Sequence, residues 1–250
     1  DSNLKELNEY YQNIQHDDAI LFRNKTEDQL NFLKKNIDFT KVKNILEIGP
    51  GPSGLLLKFD SNRYACEIDQ KSIEVLEKNG VVNFKSLDQI RNKKFDLIIL
   101  SHVFEHIIEE LENYLFDLFK LLSKDGYIFI EVPSSEYELM IYNNELINHN
   151  FTDAHKRSCS ENGFKLIFER LNIINYKVAT FVHNFRKKEY YHRYIYSKII
   201  HLFCKDKNAR KNFTLMLPKF MYHFFISIIF SFIIKKKKIS PASIRVLIRH

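Results

Sequence analysis

Cysteine, glycine and tryptophan are scarce in this sequence of 250 residues. It contains three cysteines, six glycines and no tryptophan. The cysteines, at positions 66, 159 and 204, are widely spaced, which argues against a disulfide framework and against a CxxC metal site. The first residues are polar and helix-like rather than those of a signal peptide. A reducing, cytoplasmic setting is therefore expected.

Acidic residues are scarce in the last part of the chain. Residues 181–250 carry 16 lysines and arginines but only two acids, whereas residues 1–180 carry 22 basic and 29 acidic residues. The formal net charge of +7 thus combines an acidic first part with a strongly basic tail. Such an asymmetry indicates an anionic partner for the tail.

Charge is absent altogether from residues 220–234, which are followed by four lysines at 235–238. As a helix this apolar segment would reach roughly 22 Å, which is shorter than the ~30 Å hydrocarbon core of a membrane. A spanning helix is therefore not expected. Two interpretations stay open: a helix packed against the sheet or a second subunit, or a peripheral contact of residues 220–238 with an anionic membrane. Because no nucleic-acid recognition motif is present, we expect no nucleic-acid partner.

Strands and helices alternate along most of the chain. Helices over residues 3–36 precede the first strand, and apolar runs predict strands at 45–48, 63–67, 81–85, 95–100, 127–132, 164–169 and 178–182, the last two as a hairpin. Further helices are predicted at 70–79, 107–123 and 154–162. The alternation is typical of an α/β fold with a doubly wound, seven-stranded, mostly parallel sheet. We expect an N-terminal helical cap over 1–40, a core over 41–182 and a basic, aromatic, helical extension over 183–250.

The stretch LEIGPGPSG, from Leu46 to Gly54, is the centre of this organisation. A buried strand ends there in three glycines, and a short helix begins directly after them. Glycines let the backbone turn sharply and a ligand approach closely, and the first N–H groups of a helix bind anions. The pattern therefore predicts a nucleotide site. Because GxGxxG occurs in dinucleotide dehydrogenases and in other cofactor binders, the glycines alone do not identify the nucleotide.

Three stretches together indicate which nucleotide this site binds. They are LEIGPGPSG with Glu47 before its first glycine, ACEID with Glu67 at a strand end, and FDLIILSHVFEHI over residues 95–107. As a set they resemble the class I S-adenosylmethionine-dependent methyltransferases, over residues 40–182. The last stretch is similar to small-molecule methyltransferases of the ubiquinone-biosynthesis type and to many from bacterial glycan gene clusters.

The resemblance implies roles for individual residues. The glycine turn would pack against the methionyl part of S-adenosylmethionine, and Glu47 would lie near its ammonium. Glu67 would accept both ribose hydroxyls, a task that suits a carboxylate. Tyr10 or Tyr11 would close over the cofactor, unless both pack in the core. The full set of expected cofactor-binding residues is Tyr11, Glu47, Gly49, Gly51, Gly54, Glu67, Ile68, Ser86, Leu87, Asp88 and Ser101.

His102, Glu105 and His106 form an H-x-x-E-H pattern that also occurs in zinc peptidases. That chemistry needs both histidines on one helix, whereas an apolar strand leads directly into His102 and places it on a turn, so no metal is expected. Under the methyltransferase interpretation, His102 lies beside the transferred methyl group as a general base, or only shapes the pocket. Candidate catalytic residues are His102, His106 and His149; candidate substrate-binding residues are His102, Glu131, Tyr137 and Asn148.

The expected activity is methylation, on oxygen or nitrogen, of a small polar or carbohydrate-type acceptor. The polar segment 134–150 favours a hydroxylated or anionic acceptor, and the tail favours a membrane-associated process, such as bacterial capsule or other surface polysaccharide biosynthesis. Two alternatives stay open. One is a non-catalytic S-adenosylmethionine-binding protein or membrane-tethered scaffold, and the other is a dinucleotide oxidoreductase.

Overall fold

The computed structural model describes residues 19–90, 92–136, 156–181 and 243–250. Within these residues one sheet has seven strands in the order β3-β2-β1-β4-β5-β7-β6. The strands are β1 Asn44–Ile48, β2 Asn62–Cys66, β3 Val82–Phe84, β4 Phe95–Ser101, β5 Leu122–Pro133, β6 Tyr176–Phe181 and β7 Ser243–Arg249. The described α-helices are α1 Ala19–Lys34, α2 Gln70–Lys78, α3 Leu111–Leu121 and α4 Glu161–Arg170.

The first five strands of the sheet are parallel. β1 lies between β2 and β4, and β4 also pairs with β5. Both faces of the central strands are covered, so Ile45 and Leu46 of β1 are fully buried, as are residues 97–100 of β4. Burial on both faces is the reason that these strands are continuous apolar runs rather than alternating patterns.

Helices cover the sheet on both faces. Leu30 and Leu33 of α1 and Leu76 of α2 belong to the apolar core on one face. Leu115 of α3 and Phe168 of α4 belong to the core on the other face. This arrangement confirms the predicted doubly wound α/β fold with a mostly parallel, seven-stranded sheet.

Segment 161–170 is a helix, and the hairpin predicted from strand 164–169 is wrong. The Ser160 side chain accepts a hydrogen bond from the N–H of Gly163 at 3.0 Å, which is an N-terminal cap. Phe164 and Phe168 are then one helical turn apart and both are buried. The helix therefore begins with the residues that end the predicted helix 154–162.

The last strand of the sheet comes from a distant part of the chain. β7 is inserted between β5 and β6 and runs antiparallel to both. It lies in the predicted extension 183–250, so the sheet does not end at residue 182 as expected. Among the described residues, no helix is long and apolar enough to cross a membrane. Residues 220–238 lie outside the described residues.

Helix α3 begins later than the predicted helix 107–123. A short 3₁₀ helix, Phe104–His106, precedes it, and the carbonyls of residues 107, 108 and 109 are taken by the guanidinium of Arg157. Because these carbonyls accept from a side chain and not from a later backbone N–H, residues 107–110 form a loop beside the end of β4. The loop is thereby tied to the chain that follows β5.

Candidate active site

The glycine turn after β1 meets the turn after β4. Gly49 has a φ of +58° and donates its N–H to the carbonyl of Cys66 at 2.9 Å. A Cβ added to Gly49 would lie 2.8 Å from Cγ2 of Val103, so no larger residue fits there. β1 and β4 are the neighbouring strands at which the strand order reverses, and ligands of such sheets bind at that point.

Gly51 and Gly54 serve different purposes. Gly51 has a φ of +60°, and a Cβ added to it would meet no atom within 4 Å, so the turn faces open space there. A Cβ at Gly54 would instead lie 2.5 Å from Cβ of Pro50 and 2.7 Å from Oε2 of Glu47. Gly54 is therefore required by close packing, whereas Gly51 borders the space in which a ligand would lie.

Glu47 is buried behind this turn. Only 2% of the residue is exposed, and its Oε2 accepts the N–H of Leu56 at 2.7 Å. The carboxylate thus binds the start of the 3₁₀ helix Leu55–Lys58, which follows the glycine turn, and fixes the turn from its buried side. A contact of Glu47 with the cofactor ammonium stays a prediction.

Glu67 follows β2 and faces the glycine turn. Its Oε2 accepts the N–H of Gly51 at 2.9 Å, and its Oε1 accepts the N–H groups of Ile68 and Asp69 at 2.7 and 2.9 Å. A carboxylate offers about four acceptor sites, so these three bonds leave room for a hydroxyl. The acid and the open side of Gly51 therefore fit the ribose of S-adenosylmethionine.

Asn83 holds the backbone of Glu67 in place and is not among the residues predicted from the sequence. Its side-chain oxygen accepts the N–H of Glu67 at 3.1 Å, and its amide donates to the carbonyl of Glu67 at 3.1 Å. The side chain thus extends the β2–β3 ladder where the strands separate. A polar residue in the middle of a three-residue strand was the available signal.

The remaining expected cofactor residues surround the same end of the sheet. Ile68 is exposed next to Glu67, at 39%. Ser86 precedes the 3₁₀ helix Leu87–Ile90 after β3, and Asp88 is exposed on that helix. Ser101 ends β4, where its hydroxyl accepts from the side chain of Gln29 at 2.7 Å. Their contacts with a cofactor stay predictions.

His102 lies between two buried carboxylates. Its Nδ1 is 3.3 Å from Oε1 of Glu105, and its Nε2 is 3.6 Å from Oε1 of Glu131. Its backbone has a φ of +59°, and its N–H donates to the carbonyl of Glu131 at 2.8 Å. The side chain is 25% exposed. The turn thus holds the ring at the carboxyl ends of β4 and β5, as expected for a residue of the crevice.

Glu105 is almost fully buried, with 1% of its side chain exposed. Burial opposes its ionisation, but the contact with His102, joined by smaller contributions from a backbone N–H and from His106, holds the pKa of Glu105 below its usual value. Its carbonyl accepts the N–H groups of Lys156 and Arg157 at 3.0 and 3.2 Å. Glu105 is thus the charged neighbour of His102, although it is not among the site residues predicted from the sequence.

Glu131 is fully buried and forms an ion pair with Arg245, Nε to Oε2, at 2.5 Å. Direct contact with a substrate, as predicted for Glu131, does not agree with this burial. Its other oxygen faces His102 instead. Arg245 was missed because its partner is far away in the sequence, on the neighbouring strand β5.

The other predicted residues are not brought together in the described part of the chain. His106 is half-buried in the 3₁₀ helix Phe104–His106. Four candidates lie outside the described residues, namely Tyr11, Tyr137, Asn148 and His149. Within the described ranges, no group of three or more His, Cys, Asp or Glu residues is arranged to hold a metal ion. A cavity of about 830 Å³ is lined by residues that include Val42, Phe59 and Arg63. No predicted site residue lines it, and it lies away from the strand ends that carry the site.

Comparisons with known proteins agree with the fold and with the predicted family. A family model described as a methyltransferase domain matches residues 19–176. No curated relative matches the sequence. Among solved structures, an S-adenosylmethionine-dependent methyltransferase from Archaeoglobus fulgidus is 19% identical with a TM-score of 0.56, covering 94% of this chain and 100% of that one.

Two further solved structures share the fold. One is described as a possible histamine N-methyltransferase from Thermotoga maritima, at 14% identity and a TM-score of 0.57, covering 98% of this chain and 96% of that one. The other is the plantazolicin methyltransferase BpumL in complex with SAH, at 13% identity and a TM-score of 0.57, covering 98% and 90%. The family match and the shared fold supersede the dinucleotide oxidoreductase alternative. The chain belongs to the methyltransferase-domain family and folds as a class I S-adenosylmethionine-dependent methyltransferase.

Proposed function

We propose that the protein transfers a methyl group from S-adenosylmethionine to an oxygen or nitrogen of a small polar or carbohydrate-type acceptor. The observation that carries the proposal is the meeting of three strand ends. Glu67 after β2 contacts the glycine turn after β1, and that turn packs against Val103, the neighbour of His102 after β4. A cofactor held by the first two elements therefore has His102 at its border.

The cofactor is held by residues on both sides of the glycine turn. Glu67 accepts the ribose hydroxyls, and Gly51 leaves space for the ligand. Ser86, Leu87 and Asp88 lie after β3, at the position proposed for the adenine. Glu47 keeps the turn in place from the buried side through its bond to Leu56. When bound, S-adenosylmethionine supplies a methyl carbon that is already activated for in-line displacement.

The chain contributes mainly position and exclusion of water to this reaction. His102 borders the acceptor side, and its ring nitrogens lie 3.3 and 3.6 Å from the carboxylates of Glu105 and Glu131. For a hydroxyl or amine acceptor, Nδ1 of His102 would take the proton that is lost at the attacking atom, and the two carboxylates would stabilise the imidazolium that forms. Glu131 acts behind His102 rather than on the substrate, because it is fully buried.

The acceptor class rests on the FDLIILSHVFEHI stretch, which resembles methyltransferases from bacterial glycan gene clusters, and on the polar residues Tyr137, Asn148 and His149. We place the enzyme in the synthesis of a bacterial capsule or another surface polysaccharide. The similar structures include a possible histamine N-methyltransferase and a plantazolicin methyltransferase. The fold therefore accommodates acceptors of different kinds, and the acceptor side of the crevice sets the choice.

The basic tail is proposed to bring the enzyme to an anionic membrane surface. Residues 220–234 are uncharged and are followed by four lysines, a combination that suits an interfacial segment. Polysaccharide precursors that are attached to lipid would be reached from such a position. The segment contacts the membrane peripherally and the catalytic core stays in the cytoplasm.

Two measurements test the function. Calorimetry with S-adenosylmethionine and, in parallel, with NAD is expected to give binding of the first only; binding of NAD alone would overturn the cofactor assignment. Mass spectrometry across a panel of nucleotide sugars and glycan fragments is expected to give a product heavier by one CH₂ group, because a methyl group replaces a proton. Binding of S-adenosylmethionine without any methylated product across this panel and an amine panel would favour the scaffold alternative.

His102→Ala separates chemistry from cofactor binding. Turnover is expected to fall by roughly 10²- to 10⁴-fold if His102 acts as the general base, with an unchanged affinity for S-adenosylhomocysteine. His250→Ala is the matched control, since it removes an exposed histidine beside Gly126, at the end of β5 that is opposite the site. Equal turnover in wild type and His102→Ala would reject the base.

A further inference from the structure

Arg245 is a fully buried arginine on the last strand of the sheet. Its Nε donates to Oε2 of Glu131, and its Nη1 donates to the carbonyl of Asp28 on α1 at 3.0 Å. The guanidinium carbon lies 4.1 Å from the ring centroid of Phe181 and 5.8 Å from that of Phe32. Arg245 thus connects β5, β6 and α1 at one point beneath the acceptor side of the crevice.

The two oxygens of Glu131 are divided between two partners. Oε2 is bound by Arg245, and Oε1 lies 3.6 Å from Nε2 of His102. Arg245 and Glu131 are direct cross-strand neighbours in the antiparallel β5–β7 pair. Ser101, the last residue of β4, is the register partner of Glu131, and His102 follows it directly in the chain. At this edge of the sheet, β7, β5 and the turn after β4 therefore place guanidinium, carboxylate and imidazole side by side.

Stability alone does not explain this pair. Moving two charges out of water is costly, and replacing a buried ion pair by apolar residues of similar volume is often neutral or stabilising. The guanidinium of Arg245 lies against apolar rings, since Phe32 is buried and the ring of Phe181 is 4.1 Å away. A buried pair at such a place, next to a histidine at the site, suggests a directing role.

We propose that Arg245 and Glu131 are positioning residues that fix the ring of His102 at the acceptor side of the active site. The inference rests on the proposed function, because it assumes that His102 borders the acceptor. Arg245 acts through Glu131 and touches neither cofactor nor acceptor. Glu105 holds the other side of the ring, so the two buried carboxylates keep the imidazole from turning about its side-chain bonds.

The decisive variant is the double substitution Glu131→Leu/Arg245→Met. It removes both charges together and keeps the site filled, so the protein is expected to unfold at a temperature near that of wild type. The readout is the ring signal of His102 in an NMR spectrum with histidine-selective labelling, which is assigned with His102→Asn. We expect this signal to shift and broaden while the signals of the other nine histidines stay in place.

Turnover gives a second readout once an acceptor has been found. The double variant is expected to lose roughly 10- to 100-fold in kcat, the effect of a small misplacement of a reacting group, at an unchanged KM for S-adenosylmethionine. Arg245→Lys keeps the charge opposite Glu131 and is expected to retain more kcat than Arg245→Met. Arg249→Met is the matched control, since Arg249 lies on the same strand in an exposed ion pair with Asp125.

The outcomes are separable from those of the proposed function. The His102 signal requires neither cofactor nor acceptor, so it can be read even if S-adenosylmethionine does not bind. A folded double variant with an unchanged His102 signal would overturn the positioning role. If the double variant does not fold, Glu131→Gln keeps the shape of the side chain and removes its charge, and the same signal decides.

Discussion

Glu67 shows at the scale of single residues how one carboxylate links two strand ends. It accepts the N–H of Gly51 from the neighbouring turn and two N–H groups from the residues that follow it. These bonds aim the carboxylate at the open side of Gly51. Oε1 already accepts two N–H groups, whereas Oε2 accepts only that of Gly51, so Oε2 is the oxygen with an acceptor site left for a hydroxyl of a ligand.

Glu67→Gln is therefore expected to weaken binding of S-adenosylmethionine by roughly 10- to 100-fold. The charged acceptor is lost, and hydrogen bonds to charged groups contribute about 1.5–3 kcal/mol. Calorimetry measures the effect, and Glu74→Gln, an exposed position on α2, is the matched control. Unchanged affinity in Glu67→Gln would show that this acid does not contact the cofactor.

Glu105 makes a prediction about acid stability. Its pKa is lowered in the folded protein, so its ionised form adds stability above the usual glutamate pKa of about 4.3. This contribution is lost as the pH falls through the lowered folded value. Glu105→Gln is expected to flatten the acid side of the stability profile, which is measured by urea unfolding at a series of pH values.

The control for this profile is Glu77→Gln, an exposed glutamate on α2 that has no described contact with a histidine. Its profile is expected to follow that of wild type. If Glu105→Gln and wild type lost stability in parallel on acidification, the contact between Glu105 and His102 would not be what holds the pKa down.

At the scale of elements, the short strand β3 binds the backbone that follows β2 through the side chain of Asn83. Asn83 bonds to both the N–H and the carbonyl of Glu67 and so prolongs the ladder beyond three residues. Asn62 makes a comparable contact at the opposite end of β2, with its amide donating to Asn44 at 3.0 Å. The two asparagines thus make contacts at the two ends of β2, and Glu67 follows the second end.

Asn83→Ala is expected to lower the affinity for S-adenosylmethionine by roughly 5- to 10-fold, since a hydrogen bond contributes about 1 kcal/mol and the Glu67 backbone becomes less fixed. Asn62→Ala is the matched control and is expected to leave the affinity unchanged. Equal losses in the two variants would indicate a general effect on β2 and not a local one on Glu67.

The elements that the sequence predicts well are those with local signals. β1 and β4 follow from compact apolar runs, and α2 follows from a helical pattern that ends before Gly80. The sequence also predicts the glycine turn, Glu67 and His102 at strand ends, because each of them directly follows a strand in the sequence. Their convergence at one edge follows from the parallel order of the strands.

The elements that the sequence misses depend on distant partners. The sequence of β7 is an ordinary apolar run, and no neighbouring residue in the sequence indicates that it pairs with β5 and β6. Arg245 looks like a surface residue until its partner Glu131 is known. Segment 164–169 looked like a strand because its apolar residues are dense, whereas the cap at Ser160 and the spacing of Phe164 and Phe168 select a helix.

At the scale of the whole molecule, the acidic first part and the basic tail are not two independent units. Residues 243–250 of the tail complete the sheet. Deleting the entire tail would therefore remove β7 along with the proposed membrane contact. A test of that contact has to substitute residues outside the strand.

Replacing Lys235–Lys238 by serine meets this condition. Each lysine near an anionic membrane contributes about 1 kcal/mol, so the four together are expected to change binding to anionic vesicles by roughly several hundredfold. Sedimentation with vesicles that contain phosphatidylserine measures it, and neutral vesicles are the baseline. The control replaces Lys205, Lys207, Arg210 and Lys211 instead; an equal loss there would show that binding follows total charge alone.

The insertion of β7 between β5 and β6 has a consequence for protein synthesis. β6 leaves the ribosome before β7, yet in the sheet it pairs only with β7 among the described strands. β6 must therefore wait for a later part of the chain before its backbone groups find partners. Arg245 arrives on that same strand, so a nascent chain lacks the support behind His102 until translation has passed residue 245. An interrupted translation product would then carry the cofactor turn without a finished acceptor side.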